Sequence, residues 1–239
     1  MLKFNSFNTI FAKPTSTDAE IKTLLTKPIK LRVILVRHGE TDWNRQNRLQ
    51  GSTDVPLNST GKLQAEKVAD FLKDVPIHQA FCSNLSRAKD TASIIMQHHN
   101  ITLDERSALA EINRGKWQGM TIDEIAIQYP EQFNLWRKYP HLLQNYSGET
   151  LQSASERVWM EWHNLLAKSH VPSNPCNILI VTHEGVNRLL LCRLAGISIS
   201  KFWEVPQQNT ALNVIEYPWG IHIIPRVRVR NFVVKGCHD

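Results

Sequence analysis

Leu31-Arg-Val-Ile-Leu-Val36 is a short apolar, β-branched run ending at a polar cluster, the pattern of a buried parallel strand whose C-terminal end opens into a loop. Asn177-Ile-Leu-Ile-Val-Thr182 repeats that pattern, and a histidine follows each run, His38 after the first and His183 after the second. Helices are expected between and after them. Asn58-Ser59-Thr60 offers N-cap residues ahead of Ala65, Val68, Phe71, Leu72 and Val75, which recur on one helical face. A short strand is expected at 79–83. The helix starting near Ser86 aligns Ala88, Ala92, Ile95 and His99, and Thr121-Ile-Asp-Glu124 is a capping-box pattern that opens another. The longest helix is predicted over 150–169, burying Leu151, Ala154, Val158, Trp162, Leu165 and Leu166, and the helix after the second histidine stops at Gly196. Residues 211–217 and 221–229 read as two late strands. Strands and helices alternating at these lengths predict an α/β fold, a three-layer α/β/α sandwich around a mostly parallel central sheet. In such sheets ligands bind beyond the strand C-termini.

Residues 1–30 show neither helical nor alternating periodicity and are interrupted by Pro14 and Pro28, so they read as an N-terminal extension. One domain is then expected over 31–239. The extension lacks the continuous apolar core of a secretory signal; Asp18 and Glu20 weaken a transit-peptide reading, which Lys3, Lys13 and the hydroxyl residues leave open.

Composition narrows the function classes. With 239 residues, 42% of them hydrophobic and only 10 Gly and 11 Pro, the chain is neither collagen-like nor largely disordered, and it is long enough for a sizeable core. The best apolar run, 189–199, is short and carries Arg193, so no membrane span is expected. Cys82, Cys176, Cys192 and Cys237 form no CxxC pair and no zinc-finger spacing, which points to a reducing, cytoplasmic setting. The formal charge of +6 favours anionic partners. Its basic residues are spread along the chain, and Arg226-Val-Arg-Val-Arg230 alternates as a strand face would, so neither nucleic acid nor membrane is an expected partner. A homodimer is compatible with the sequence.

The chemistry concentrates in Leu35-Val-Arg-His-Gly-Glu-Thr-Asp-Trp-Asn44. A neutral imidazole is a good nucleophile toward phosphorus, a neighbouring guanidinium clamps phosphate oxygens, and glycine lets the backbone approach closely. The run Arg-His-Gly-Glu-Thr-Asp-Trp-Asn resembles the signature of the histidine phosphatase superfamily, which includes cofactor-dependent phosphoglycerate mutases and metal-independent phosphatases. Further segments match in order: Gln50-Gly51 with Asp54-Val-Pro-Leu57, Cys82-Ser-Asn-Leu-Ser-Arg-Ala88, Ala110-Glu-Ile-Asn-Arg-Gly-Lys-Trp-Gln-Gly119 and Val181-Thr-His-Glu-Gly185.

The resemblance implies a phosphoglycerate mutase-like fold, with His38 as phosphoryl acceptor and Glu111 as proton donor to the leaving oxygen. It places Arg37, Arg87 and His183 around the phosphate, with Asn44, Gln50, Gly51 and the backbone amide of Glu184 as further contacts. It implies neither cofactor nor metal; His98 and His99 would diverge by about 100° on a helix and share no face. Mutases of the family typically follow the glutamate with RHYGxLxGxNK and a longer insertion, whereas Trp117-Gln-Gly-Met-Thr121 resembles the phosphatase branches. The expected partner is a small phosphorylated metabolite, with phosphoserine, a sugar phosphate and α-ribazole phosphate not separable. Mutase-type transfer and protein-phosphohistidine hydrolysis stay open as alternatives. Groups that read the alcohol are expected within 117–146, where Trp117, Phe133, Trp136, Arg137, Tyr139 and His141 offer aromatic and basic contacts.

Overall fold

The computed structural model describes residues 16–144, 147–168, 175–218 and 224–237. Its chain begins with helix α1 (Asp18–Thr26), then strand β1 (Leu31–Arg37) and a single-turn helix α2 (Asp42–Arg45). Helix α3 (Ser59–Leu72), strand β2 (Gln79–Ser83), helix α4 (Ser86–Ile95) and strand β3 (Leu103–Arg106) follow. Two short helices, α5 (Ile122–Gln128) and α6 (Pro130–Lys138), precede the long α7 (Leu151–Lys168). Strand β4 (Cys176–Thr182), helix α8 (Glu184–Leu194) and strands β5 (Leu212–Tyr217) and β6 (Arg226–Phe232) complete it.

The six strands form one sheet in the order β3-β2-β4-β1-β5-β6. The β1–β4, β2–β4 and β2–β3 pairs are parallel, while β5 and β6 add antiparallel ladders, so the sheet is mostly parallel as expected. Alternation along β1 sends Ile34 and Val36 to one side, packed with Val68 and Leu72 of α3 and Ala88, Ala92 and Ile95 of α4. Leu31, Val33 and Leu35 face the other side, against Val158, Trp162 and Leu165 of α7 and Leu190 and Leu191 of α8. Those two apolar layers make the predicted three-layer sandwich. A separate cluster of Trp117, Ile125, Trp136 and Leu143 holds α5 and α6 together as a small cap. Among the described residues no helix is long and apolar enough to cross a membrane.

The chain departs from the sequence reading at four places. Compact structure begins before Leu31: α1 is opened by a capping box in which Glu20 N–H donates to Thr17 Oγ1 (3.3 Å) and Thr17 N–H to Glu20 Oε2 (2.8 Å). Ile21 and Leu25, one helical turn apart, enter the main core. Buried Arg32 then holds the end of α1, donating to the carbonyls of Leu25 (2.8 Å) and Lys27 (3.1 Å) while pairing with Glu216 at 2.8 Å. Strand β3 was not anticipated, because four residues at a sheet edge with Asp104 and Glu105 exposed carry no apolar signal. His99 does not continue the α4 stripe: a 3₁₀ turn, Met96–His98, closes the helix and leaves His99 extended. The last strand runs Arg226–Phe232, later than expected, with Val227 and Val229 buried and Arg226 and Arg228 turned outward. Residues 221–223 of the expected strand, and Ser169 and Tyr146, lie outside the described residues.

Leu25→Ala is expected to lower unfolding free energy by about 2–5 kcal/mol, the usual cost of emptying a closed core site. Urea denaturation checks this, and a change under 1 kcal/mol would return α1 to the status of an extension.

Candidate active site

In the parallel ladder Arg37 lies opposite Thr182, so β1 and β4 end together and their next residues leave the sheet side by side. His38 N–H donates to the Thr182 carbonyl at 2.9 Å, and the His38 and His183 rings stand 5.3 Å apart, both buried. His38 Nδ1 is 2.6 Å from the carbonyl oxygen of Gly39. A carbonyl only accepts, so Nδ1 carries the proton and Nε2 keeps its lone pair. Burial, then Arg87 and Arg37, holds the His38 pKa well below its ordinary value; the same burial and Arg87 lower His183. Both imidazoles are therefore neutral at pH 7.

Arg87 sits in the first turn of α4 and is fully buried, its guanidinium donating to the carbonyls of Gly51 and Thr53, each at 2.8 Å. Burial pushes its pKa down to about 10, so it stays charged. Gly51 reaches that position with a positive φ of 54°. Arg37 donates to the Gln207 carbonyl and pairs with Glu184 at 3.1 Å. Gln207 is itself clamped by Asn187 and Asn213. Among the described residues the Nε atoms of Arg37 and Arg87 and both ring nitrogens of His183 are buried with no hydrogen-bond partner. Buried donors left unpaired are costly, and Arg37 and Arg87 share one cavity with His38, an arrangement that suits a tetrahedral oxyanion.

Glu111 approaches from the loop after a 3₁₀ turn, Ser107–Leu109. Its carboxylate accepts from the backbone amides of Ile112 (2.9 Å) and Gly185 (3.0 Å), the latter at the N-terminus of α8. Gly185 is needed there, since a Cβ on it would stand 2.5 Å from Glu111 Oε1 and 2.8 Å from Ile112 Cδ1.

A cavity of about 490 Å³ brings together Arg37, His38, Asn44, Gln50, Gly51, Arg87, Glu111 and Glu184. His183 is the one predicted site residue absent from its lining; it lies behind, against His38. Asn44 faces the cavity with its Oδ1 already accepting from Thr41 N–H and Oγ1 at 3.1 Å each, which leaves its amide NH₂ for a ligand. Glu184 contributes a side chain the sequence reading had not used. Burial alone would raise its pKa, but Arg37, Arg188 and Arg114 hold it below the usual value, and its carboxylate binds Arg188 at 2.7 Å. From the aromatic and basic set expected to read the alcohol, Trp136 and Arg137 line the cavity, while Trp117, Phe133, Tyr139 and His141 do not. Arg114, Arg188 and Trp203 line it unanticipated, and Asn209 lines it from the 207–210 loop. Asn209 also donates to the His38 carbonyl at 3.1 Å, so the 207–210 loop holds the backbone of His38 as well as bordering the cavity.

Residues 33–223 match the family model of the histidine phosphatase superfamily (branch 1). Phosphoserine phosphatase 1 of Hydrogenobacter thermophilus is 32% identical over 211 residues, covering 87% of this chain and 94% of that protein. Among solved structures, YhfR of Bacillus stearothermophilus superposes with a TM-score of 0.76 at 28% identity, covering 86% of this chain and 96% of its own. The α-ribazole phosphatase from Shigella flexneri gives 0.75 at 28% identity, covering 86% and 98%.

Gly185→Ala is expected to lower kcat about a hundredfold by displacing the Glu111 carboxylate, a misplacement on the ångström scale. Helix propensity favours alanine, so α8 itself gains nothing from the glycine. Steady-state turnover with a parallel melting curve checks this: a loss of kcat matched by loss of fold would attribute the glycine to packing alone.

Proposed function

The chain belongs to the histidine phosphatase superfamily, and on that premise we propose that it hydrolyses small phosphomonoesters through a phosphohistidine formed on His38, without a metal ion. The observation that carries this reading is the geometry of His38: its Nδ1 is committed to the Gly39 carbonyl, which leaves the Nε2 lone pair, in a cavity shared with Arg37 and Arg87, and burial together with Arg87 and Arg37 favours the neutral ring. In the first step the Nε2 lone pair attacks phosphorus in line, a P–N bond forms, the P–O bond to the alcohol breaks, and Glu111 delivers its proton to the leaving oxygen. Arg37 and Arg87 balance charge that spreads over the equatorial oxygens of the loose transition state. Water then attacks the phosphohistidine, giving its proton to Glu111 as the P–N bond breaks, which returns His38 and the acid to their starting states.

Several features support this over other chemistries. Among the described residues no three His, Cys, Asp or Glu side chains come together as metal ligands would. The site's excess of fixed cations supplies the charge stabilisation that a metal provides elsewhere. Relatives named as phosphatases of phosphoserine and α-ribazole phosphate favour a small metabolite and water as the final acceptor. A cytoplasmic setting accords with four free, buried thiols.

Release of p-nitrophenol from p-nitrophenyl phosphate is expected to persist in excess EDTA and to fall at least a thousandfold in His38→Ala, with an acid-labile phosphoryl group trapped on His38 of the wild type. EDTA-sensitive turnover would overturn the metal-free reading, and full activity in His38→Ala the nucleophile assignment.

The pH profile follows from the direction of the His38 shift. Its folded pKa lies below 6.5, so the neutral form persists as pH falls through 6.5 and is lost only at more acid pH. The acid limb of kcat/KM, corrected for substrate ionisation, is therefore expected below pH 6.5. A limb at or above 6.5 would show that His38 is not held neutral by its surroundings.

A further inference from the structure

Six arginines line the cavity against two glutamates, an excess of four positive charges where a phosphomonoester dianion supplies only two negative ones. Most of these arginines are engaged. Arg37 and Arg188 share Glu184, and Arg87 is held by the Gly51 and Thr53 carbonyls. Arg48 binds the Gly119 carbonyl at 2.6 Å and lies 3.4 Å from Glu124. Arg137 is exposed at the rim, over the Trp203 ring.

Arg114 differs from all of them. It lines the cavity and is 6% exposed, and among the described residues its guanidinium has neither a hydrogen-bond acceptor nor an ion-pair partner within 4 Å; it lies over the Trp136 ring, 5.9 Å from the centroid, and acts on Glu184 only through space. An aromatic face engages only the π side of a guanidinium, so the in-plane donors of Arg114 stay open to an acceptor entering the cavity. Arg114 also stands three residues from Glu111 on the same loop. The acid that protonates the leaving oxygen lies beside the alcohol portion, so the alcohol extends toward that loop.

Resting on the phosphatase reading above, we propose that Arg114 is a specificity residue that binds a carboxylate on the alcohol portion of the substrate, with Trp136 and Trp203 walling the subsite. The substrates are then phosphomonoesters of hydroxy acids rather than of neutral or cationic alcohols. A carboxylate docks on a guanidinium through two parallel hydrogen bonds, and its single charge is compatible with the excess that remains beside the phosphate.

A matched pair tests this, since 3-phosphoglycerate and glycerol 3-phosphate differ in having a carboxylate where the other has a hydroxymethyl group. Wild type is expected to favour 3-phosphoglycerate by at least tenfold in kcat/KM. Arg114→Gln is expected to cut that ratio at least tenfold, mainly through KM for the carboxylated ester, and Arg114→Lys to restore part of it. Should Arg114→Gln fail to fold by thermal melting, the wild-type ratio and the KM of a folded Arg114→Lys decide. A wild-type ratio near one, or a ratio unmoved by Arg114→Gln, overturns the carboxylate subsite while leaving the phosphatase reading standing. Equal preference for 1,3-propanediol bisphosphate, equally sensitive to Arg114→Gln, assigns the subsite to anions at large and overturns the carboxylate. No turnover of either ester or of p-nitrophenyl phosphate overturns both readings together.

Discussion

Because Arg37 faces Thr182 in the β1–β4 ladder, two segments distant in sequence leave the sheet at the same level, and the pairing of His38 with His183 descends from that register. A slip of one residue would move the core set of β1 to the opposite face, so burial on both faces of the strand fixes the pairing. His38 is further tied by its own amide to the Thr182 carbonyl, and its carbonyl receives Thr210 N–H and the Asn209 amide. A nucleophile with both backbone groups committed has little freedom left beyond the torsions of its ring. Those in turn are limited by the Gly39 carbonyl at Nδ1.

The electrostatics of the site form one connected problem. Burial depresses the basicity of His38 most, and Arg87 and Arg37 add to it by the same field that would draw in a dianion, so the pull on an anion and part of the availability of the lone pair have a common source. Buried cations need compensation even so, and Glu184 supplies it from the first turn of α8 by pairing with Arg37 and Arg188 together. Glu111 uses that same helix end differently. Its carboxylate occupies the Gly185 amide, a place that a helix N-terminus favours for negative charge. One helix therefore holds the counter-charge and positions Glu111, while its N-cap, His183, packs behind His38.

How much of this could be read from the chain depends on the kind of signal. The β1 and β4 runs, the capped helices and the residues around the phosphate were legible because buried parallel strands are continuous apolar runs and because the site residues sit in short contiguous segments. Helix α1 was hidden by its flanking prolines and polar residues, although Thr17-Asp-Ala-Glu20 ahead of Ile21 and Leu25 carried the capping-box signal. Arg114, Arg188 and Trp203 were not legible as cavity residues. Their places in the cavity come from three separate segments, the loop after Glu111, α8 and the 3₁₀ segment Ile199–Glu204, which meet through Trp136 and Trp203. No local spacing encodes such a meeting. Glu184 fell between the two cases, since its backbone was anticipated but the charge of its side chain acts on arginines remote in sequence.

The two ends of the cavity are built on different foundations, and this bears on how the site can vary. Its phosphate end rests on sheet termini and the first turns of α4 and α8, where backbone hydrogen bonds hold each group. The alcohol end rests on the cap, joined to the rest through Trp203, whose indole N–H donates to the Trp136 carbonyl at 2.7 Å and whose ring meets Trp136 edge-on. Arg188 is the physical link between them, reaching from α8 to the Val205 carbonyl and lying over the rings of Phe202 and Trp203 while its charge stays on Glu184. A change on the cap side, such as at Arg114 or Trp136, alters what the alcohol meets and leaves the β1–β4 register untouched. Arg188 is different: replacing it would disturb the cap and the counter-charge at once, so selectivity can be retuned around it more readily than through it.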